Sequence, residues 1–143
     1  MVICLVTSVF KSTWEPLNAT SILFFTISFS NVCNKSIDLL VDLPGIIQEW
    51  KNCDFAITAG GNTLFERIAA RKPGLTICQL ERQMEIADRF ADLGVNYNVG
   101  FGPELTVDEI ADKIRSYLLQ YNDHLVQYNN SPQYVDGKGL SRV

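Results

Sequence analysis

Cys53-Asp-Phe-Ala-Ile-Thr-Ala-Gly-Gly-Asn-Thr-Leu-Phe-Glu66 carries the fold. A short apolar segment enters two glycines, then a polar pair, then a helix-forming segment bearing a carboxylate. Gly60 and Gly61 lack a Cβ, so the backbone there can turn sharply and come close to a ligand. A helix opening at Asn62 or Thr63 offers unpaired N–H groups and the positive end of its dipole, a natural seat for phosphate. Asn62 and Thr63 add side-chain hydrogen bonds, or Asn62 caps the helix. Glu66, one turn in, points back to the helix mouth, where a carboxylate can accept hydrogen bonds from a ribose diol. The plainer alternative is a tight strand-to-helix connection with a solvated acid in the first turn.

On both sides of this stretch, strand and helix patterns alternate. Val2–Val6, Ile22–Phe29 and Asp38–Val41 read as strands, with a polar connector at Lys11–Thr20. Pro44 suits the first turn of a helix over Pro44–Trp50, with Ile46, Ile47 and Trp50 on one face. Phe55–Thr58 is the fourth strand, followed by a helix over Thr63–Arg71 whose Leu64, Ile68 and Ala69 face the sheet. Lys72-Pro-Gly74 stops that helix before a fifth strand, Leu75–Cys78. Arg82–Leu93 reads as a helix with Ile86, Phe90 and Leu93 in helical spacing and Gly94 as its C-cap. Tyr97–Val99 is a sixth strand. Thr106-Val-Asp-Glu109 is a capping box opening a helix to Leu119, apolar at Ile110, Ile114, Leu118 and Leu119. A helical turn at Asp123–Tyr128 and a loop over Tyr134–Val143 complete the chain. Such alternation predicts an α/β fold, a parallel sheet with helices on both faces, binding ligands at the carboxyl ends of its strands. Gln79-Leu-Glu-Arg-Gln83 occupies the neighbouring strand-to-helix mouth. Glu81 and Gln83 there suit sugar hydroxyls or amides, and Arg82 suits a phosphate.

Composition narrows the function classes. The 143 residues are 47% hydrophobic and 20% charged, which fits one globular domain with a real core. The net charge of −4 and the absence of a basic stripe argue against a nucleic-acid partner. Cys4, Cys33, Cys53 and Cys78 are widely and irregularly spaced, and with His124 as the single histidine they make no metal site; reduced, mostly buried thiols of a cytoplasmic protein are expected. Ser21–Phe29 is apolar but about half the ~20 residues a membrane helix needs, and Met1–Val6 lacks the early lysines of a signal peptide.

Asp54–Glu66, the Lys72-Pro-Gly74 break, Glu81-Arg-Gln83 with Ile86-Ala87, and Asp136-Gly-Lys-Gly-Leu-Ser-Arg-Val143 occur in this order in one family. From about Asp42 onward the chain resembles the C-terminal half of the UDP-sugar hydrolase of the pseudaminic acid pathway, and the spore-coat polysaccharide proteins related to it. That family is similar to the N-acetylglucosamine transferase of peptidoglycan synthesis. The resemblance implies a Rossmann-like domain of GT-B architecture, in which two such halves enclose the ligand. It places uridine against Val41–Leu43, the ribose on Glu66, the diphosphate at the Gly60-Gly61 turn with Asn62 and Thr63, and the sugar near Glu81 and Gln83. The reaction it implies breaks the bond between the anomeric carbon and UDP with a water, without a cofactor. The catalytic histidine of the family sits in the other half, and His124, read as a surface residue, matches nothing catalytic. Where the family turns on Gly-Gly-Ser-Asp after its first strand, this chain has Thr7-Ser-Val-Phe-Lys11. The expected partners are UDP or a UDP-sugar, and a separate subunit resembling the N-terminal half; alone, the chain is expected to bind and not to catalyse. The alternatives from other classes are a non-catalytic interaction module and the nucleotide-binding subunit of a split glycosyltransferase.

Overall fold

The computed structural model describes residues 2–6, 36–40 and 47–142. The strand expected over residues 22–29, the connector at 11–20, the turn at 7–11 and the loop at 41–43 lie outside these residues.

Five strands form one parallel sheet in the order β2-β1-β3-β4-β5: β1 Val2–Val6, β2 Ser36–Leu40, β3 Phe55–Ala59, β4 Gly74–Cys78 and β5 Tyr97–Phe101. Every residue of β3 and β4 is buried. Helices cover both faces there, which is why these strands read as unbroken apolar or small-residue runs instead of alternating. The helices are α1 Ile47–Asn52, α2 Asn62–Ala69, α3 Met84–Asp92, α4 Val107–Leu119 and α5 Tyr121–Asn130. The last is a full helix where the sequence suggested one turn.

The side-chain alternation of the strands splits the core in two. Phe55, Ile57, Leu75, Ile77 and Val99 pack with Ile110, Ile114 and Tyr117 of α4. On the opposite face Cys78 packs with Leu64 and Ile68 of α2, Ala87 of α3, Val95 and Tyr128 of α5. Thus α2 and α3 lie on one face and α4 on the other, the arrangement the strand–helix alternation predicts. Two helices are rotated from the expected setting. In α3 the inward residue is Ala87, with Met84 and Phe90 beside it, while Ile86 and Leu93 are 37% and 42% exposed. A methyl at the contact lets α3 lie close to the sheet, and that turns its larger aliphatics outward. In α4 Tyr117 joins Ile110 and Ile114 in the core with Leu118 packed beside them as expected, while Leu119, also expected on the apolar face, is 83% exposed. Tyr117 wins because its ring meets Phe55 and Tyr97 at centroid distances of 5.5 and 5.2 Å, large buried area that a leucine cannot match.

Thr106 caps α4 as its sequence predicts: its Oγ1 accepts from Glu109 N–H at 3.3 Å, and Glu109 Oε2 accepts from Thr106 N–H at 2.7 Å. Gly94 ends α3 with φ +73°, the left-handed conformation glycine tolerates. Gly74 has a different reason to be glycine. A Cβ there would lie 2.0 Å from the carbonyl oxygen of Ala56 on β3, so the close β3–β4 approach requires its absence.

Candidate functional site

Among the described strands, all parallel, the strand order switches at β1, with β2 on one side and β3, β4 and β5 on the other. Ligands of open parallel sheets bind outside the carboxyl ends of the strands at such a reversal. On the β3 side of this crevice the chain leaves Ala59 through Gly60 and Gly61 and enters α2 at Asn62.

Gly61 occupies the N-cap position at φ −92°, and no side chain caps the helix. The first turn of a helix has N–H groups without intrahelical partners, and a glycine cap leaves them uncovered. Asn62 does not take the cap role the sequence allowed it; it is the first helical residue and is exposed. Glu66 lies four residues on, exposed on the same stripe of α2 as Asn62. Thr63 turns inward and is buried.

The adjoining mouth, after β4, is tied to this turn by Gln83. Its Oε1 accepts from the N–H groups of Gln79 at 2.8 Å and Leu80 at 3.3 Å, which closes the loop into a short 3-10 turn over Glu81–Gln83. A Cβ on Gly60 would meet Gln83 Cβ at 2.9 Å and Cys78 Sγ at 3.0 Å, so the missing side chain of Gly60 makes room for the neighbouring loop. At Gly61 the nearest such atom is Gln83 Nε2 at 3.6 Å, ordinary contact distance. The structure therefore brings Gly60, Gly61 and Gln83 together and aligns Asn62 with Glu66. Glu81 and Arg82 are exposed on the 3-10 turn, and no hydrogen bond among the described residues joins Glu81 to the glycine turn.

Cys53 and Cys78 are buried, and the Cys53 thiol donates to Phe55 O at 2.9 Å. Burial pushes the Cys78 thiol up to about 12, with the nearby Asp88 charge adding to the shift, so it is no nucleophile. Among the described residues no group of His, Cys, Asp and Glu could hold a metal ion, and no helix is long and apolar enough to cross a membrane.

His124 is not the free surface residue expected of a polar C-terminal helix. It is half-buried, and its ring stacks on Tyr117 with centroids 4.1 Å apart. The α4–α5 junction brings the two together across seven residues of chain, a pairing set by how the two helices meet.

Two further polar features had no sequence signal. Arg67 is fully buried in α2, donating to Lys72 O at 3.0 Å and to Asn96 Oδ1 at 2.5 Å. Asn96 Oδ1 also accepts from Thr76 Oγ1, and Asn96 Nδ2 donates to Ala87 O. Burial lowers the Arg67 guanidinium to about 10, against the usual 12.5. Arg71, in the left-handed conformation at φ 56°, spreads its guanidinium over the carbonyls of Tyr128, Asn129, Ser131 and Pro132 and over the Tyr128 ring. The segment after α2 is thereby fixed to the end of α5.

No protein-family model matches the chain. Over 110 residues, 76% of its length, it is 36% identical to the spore coat polysaccharide biosynthesis protein SpsG of Bacillus subtilis (strain 168). The aligned part spans 31% of that relative, so the chain corresponds to about a third of it. Among solved structures it is similar to MurG of Acinetobacter baumannii (TM-score 0.64, 13% identity, 97% of this chain and 47% of that one). It is also similar to the spinosyn forosaminyltransferase SpnP (TM-score 0.60, 13% identity, 99% and 42%). A third is the glycosyltransferase VinC, solved in complex with dTDP (TM-score 0.59, 19% identity, 99% and 40%). The chain has the α/β fold of one half of a GT-B glycosyltransferase, and it is related in sequence to a polysaccharide biosynthesis protein.

Proposed function

We propose that this chain is the nucleotide-sugar-binding half of a GT-B type enzyme of surface polysaccharide or nonulosonate biosynthesis. Its ligand is UDP or a UDP-sugar. The diphosphate is received by the uncovered N–H groups at Gly61, Asn62 and Thr63, with Gly60 shaping the turn. Glu66 accepts hydrogen bonds from the ribose, and Glu81 and Gln83 stand on the sugar side. The observation that carries this reading is the N-terminus of α2, which follows the carboxyl end of β3 next to the point where the strand order switches, with no side-chain cap hydrogen bond among the described residues. An anion there gains both hydrogen bonds and the helix dipole. The 36% identity to a spore coat polysaccharide biosynthesis protein supports the pathway class. The dTDP in VinC shows a nucleoside diphosphate on a protein of this fold.

The reaction is transfer or hydrolysis at the anomeric carbon. The described residues supply binding and orientation; the acid–base group is expected from a second half, since a cleft needs both walls to exclude water and align the reactants. Alone, the chain binds without turnover. Isothermal titration with UDP tests this. The expected result is saturable binding that is lost in Glu66→Ala and kept in Asp92→Ala, an exposed acid at the end of α3. A folded protein that shows no binding at millimolar UDP would refute the assignment.

A further inference from the structure

The segment Asp136-Gly-Lys-Gly-Leu-Ser-Arg142 takes no part in the crevice. Of the nine glycines in the chain, Gly137 is the one preceded by an aspartate, and none follows an asparagine. Asp136 and Gly137 are both exposed, past the end of α5. Gly137 has φ +71°, and a Cβ built on it would meet no atom within 4 Å. The Asp136 carboxylate, by contrast, is held from two sides. Its Oδ1 accepts from Lys138 N–H at 3.0 Å, and its Oδ2 accepts from Arg142 Nη2. The second contact is an ion pair that clips the 3-10 turn Gly139–Arg142 back onto the loop. Among the described residues Arg142 is the charged group paired with this carboxylate. The Lys138 N–H and the Arg142 guanidinium hold the carboxyl below its ordinary value of 3.8.

An aspartate followed by glycine is chemically labile. The backbone nitrogen of the glycine attacks the side-chain Cγ of the neutral carboxyl. A C–N bond forms, a C–O bond breaks, and the hydroxyl leaves as water with the amide proton. The five-membered succinimide then takes up water. Addition at Cγ restores aspartate; addition at the main-chain carbonyl gives isoaspartate, with the backbone routed through Cβ and the carboxylate left on Cα. Glycine has no Cβ to crowd the attack. An ionised carboxyl resists it, because its oxygen is a poor leaving group.

We infer that Asp136-Gly137 is a site of spontaneous isomerisation to isoaspartate, and that the Arg142 clip holds it in the unreacted form. The inference stands apart from the nucleotide-sugar reading. Isoaspartate adds a main-chain carbon and moves the carboxylate, so Lys138 N–H and Arg142 no longer meet it as before and the turn over Gly139–Arg142 comes loose.

The test is ageing of the whole chain in neutral buffer, followed by peptide mapping with electron-transfer fragmentation, which separates aspartate from isoaspartate at equal mass. Arg142→Gln is expected to accumulate isoaspartate at position 136 about two- to fivefold faster than wild type, the range an exposed ion pair supplies. Gly137→Ala is expected to slow the reaction in either background. The ratio of Arg142→Gln to wild type should fall toward one as pH drops to where the carboxyl is neutral in both, and the two should react alike in concentrated urea, where no clip exists. Arg142→Gln free of isoaspartate at position 136, over a time in which the urea-unfolded chain accumulates it, would overturn the site. Equal rates for folded wild type and Arg142→Gln in neutral buffer would overturn the role of the clip.

Discussion

Replacing each of the two adjacent glycines by alanine gives opposite outcomes if the turn is built as described. At Gly60 the new methyl would sit 2.9 Å from Gln83 Cβ and 3.0 Å from Cys78 Sγ. Neither is the loose end of a long side chain, so the loop after β4 has to move. Overpacking of this kind costs about 1–3 kcal/mol. Moving Gln83 also strains the bonds its Oε1 accepts from Gln79 and Leu80, which places the value toward the upper end of that range. For a domain of this size about 3 °C of melting temperature accompanies each kcal/mol, so Gly60→Ala should melt roughly 3–9 °C lower. At Gly61 the nearest atom is 3.6 Å away and φ is −92°, so Gly61→Ala should stay within about 1 kcal/mol of wild type. Its methyl would stand at the N-cap of α2, 3.6 Å from Gln83 Nε2, and UDP binding should weaken. Differential scanning calorimetry and UDP titration of both variants give the comparison. Equal destabilisation by the two, or a Gly60→Ala protein as stable as wild type, would refute the packing argument. A Gly61→Ala protein that binds UDP normally would refute the placement of the diphosphate.

Two more predictions concern the charged groups. Asn96→Ala strips one acceptor from both Arg67 and Thr76 and should cost about 3 kcal/mol or more in urea denaturation; adding Arg67→Met should recover part of the loss, and a double variant worse than Asn96→Ala would show that Arg67 contributes by itself. Glu109 is held below its ordinary value of 4.5 by the hydrogen bonds of Thr106, so its contribution to the α4 cap is complete above that value and is lost as pH falls through the depressed one. Amide exchange at Thr106 should accelerate in that acid window in wild type, be fast at all pH values in Glu109→Ala, and lose the pH dependence in Glu109→Gln, whose amide oxygen still accepts from Thr106 N–H.

Where local chemistry dictates the structure, the sequence was legible. The Phe55–Ala59 strand, the glycine turn, the Thr106 capping box and Gly94 follow from short-range rules about β-branched runs, backbone freedom and caps, and they appear close to where those rules put them. The Gly60-Gly61 pair was read correctly as a turn, but its two members were not separable. That distinction depends on Gln83, more than twenty residues away in the chain. The rotation of α3 and the burial of Tyr117 likewise depend on which residue a neighbouring element leaves room for. Arg67 reads as one more polar position on an amphipathic helix until Asn96, across the fold, is seen to receive it. Gln79 reads as a loop residue until its burial is known, together with a side-chain Nε2 that has no hydrogen-bond partner among the described residues.

The grip of Arg71 on the carbonyls from Tyr128 to Pro132 bears on how far the chain can be shortened. A truncation that looks harmless, since it would trim a polar helix from the C-terminal end, would strip that guanidinium of every acceptor and uncover the apolar patch under Tyr128. A shortened chain that keeps these contacts has to run past Pro132 to Val135, which packs on the same cluster as Tyr128, so the helix carrying the candidate amides owes its footing to residues about sixty positions downstream.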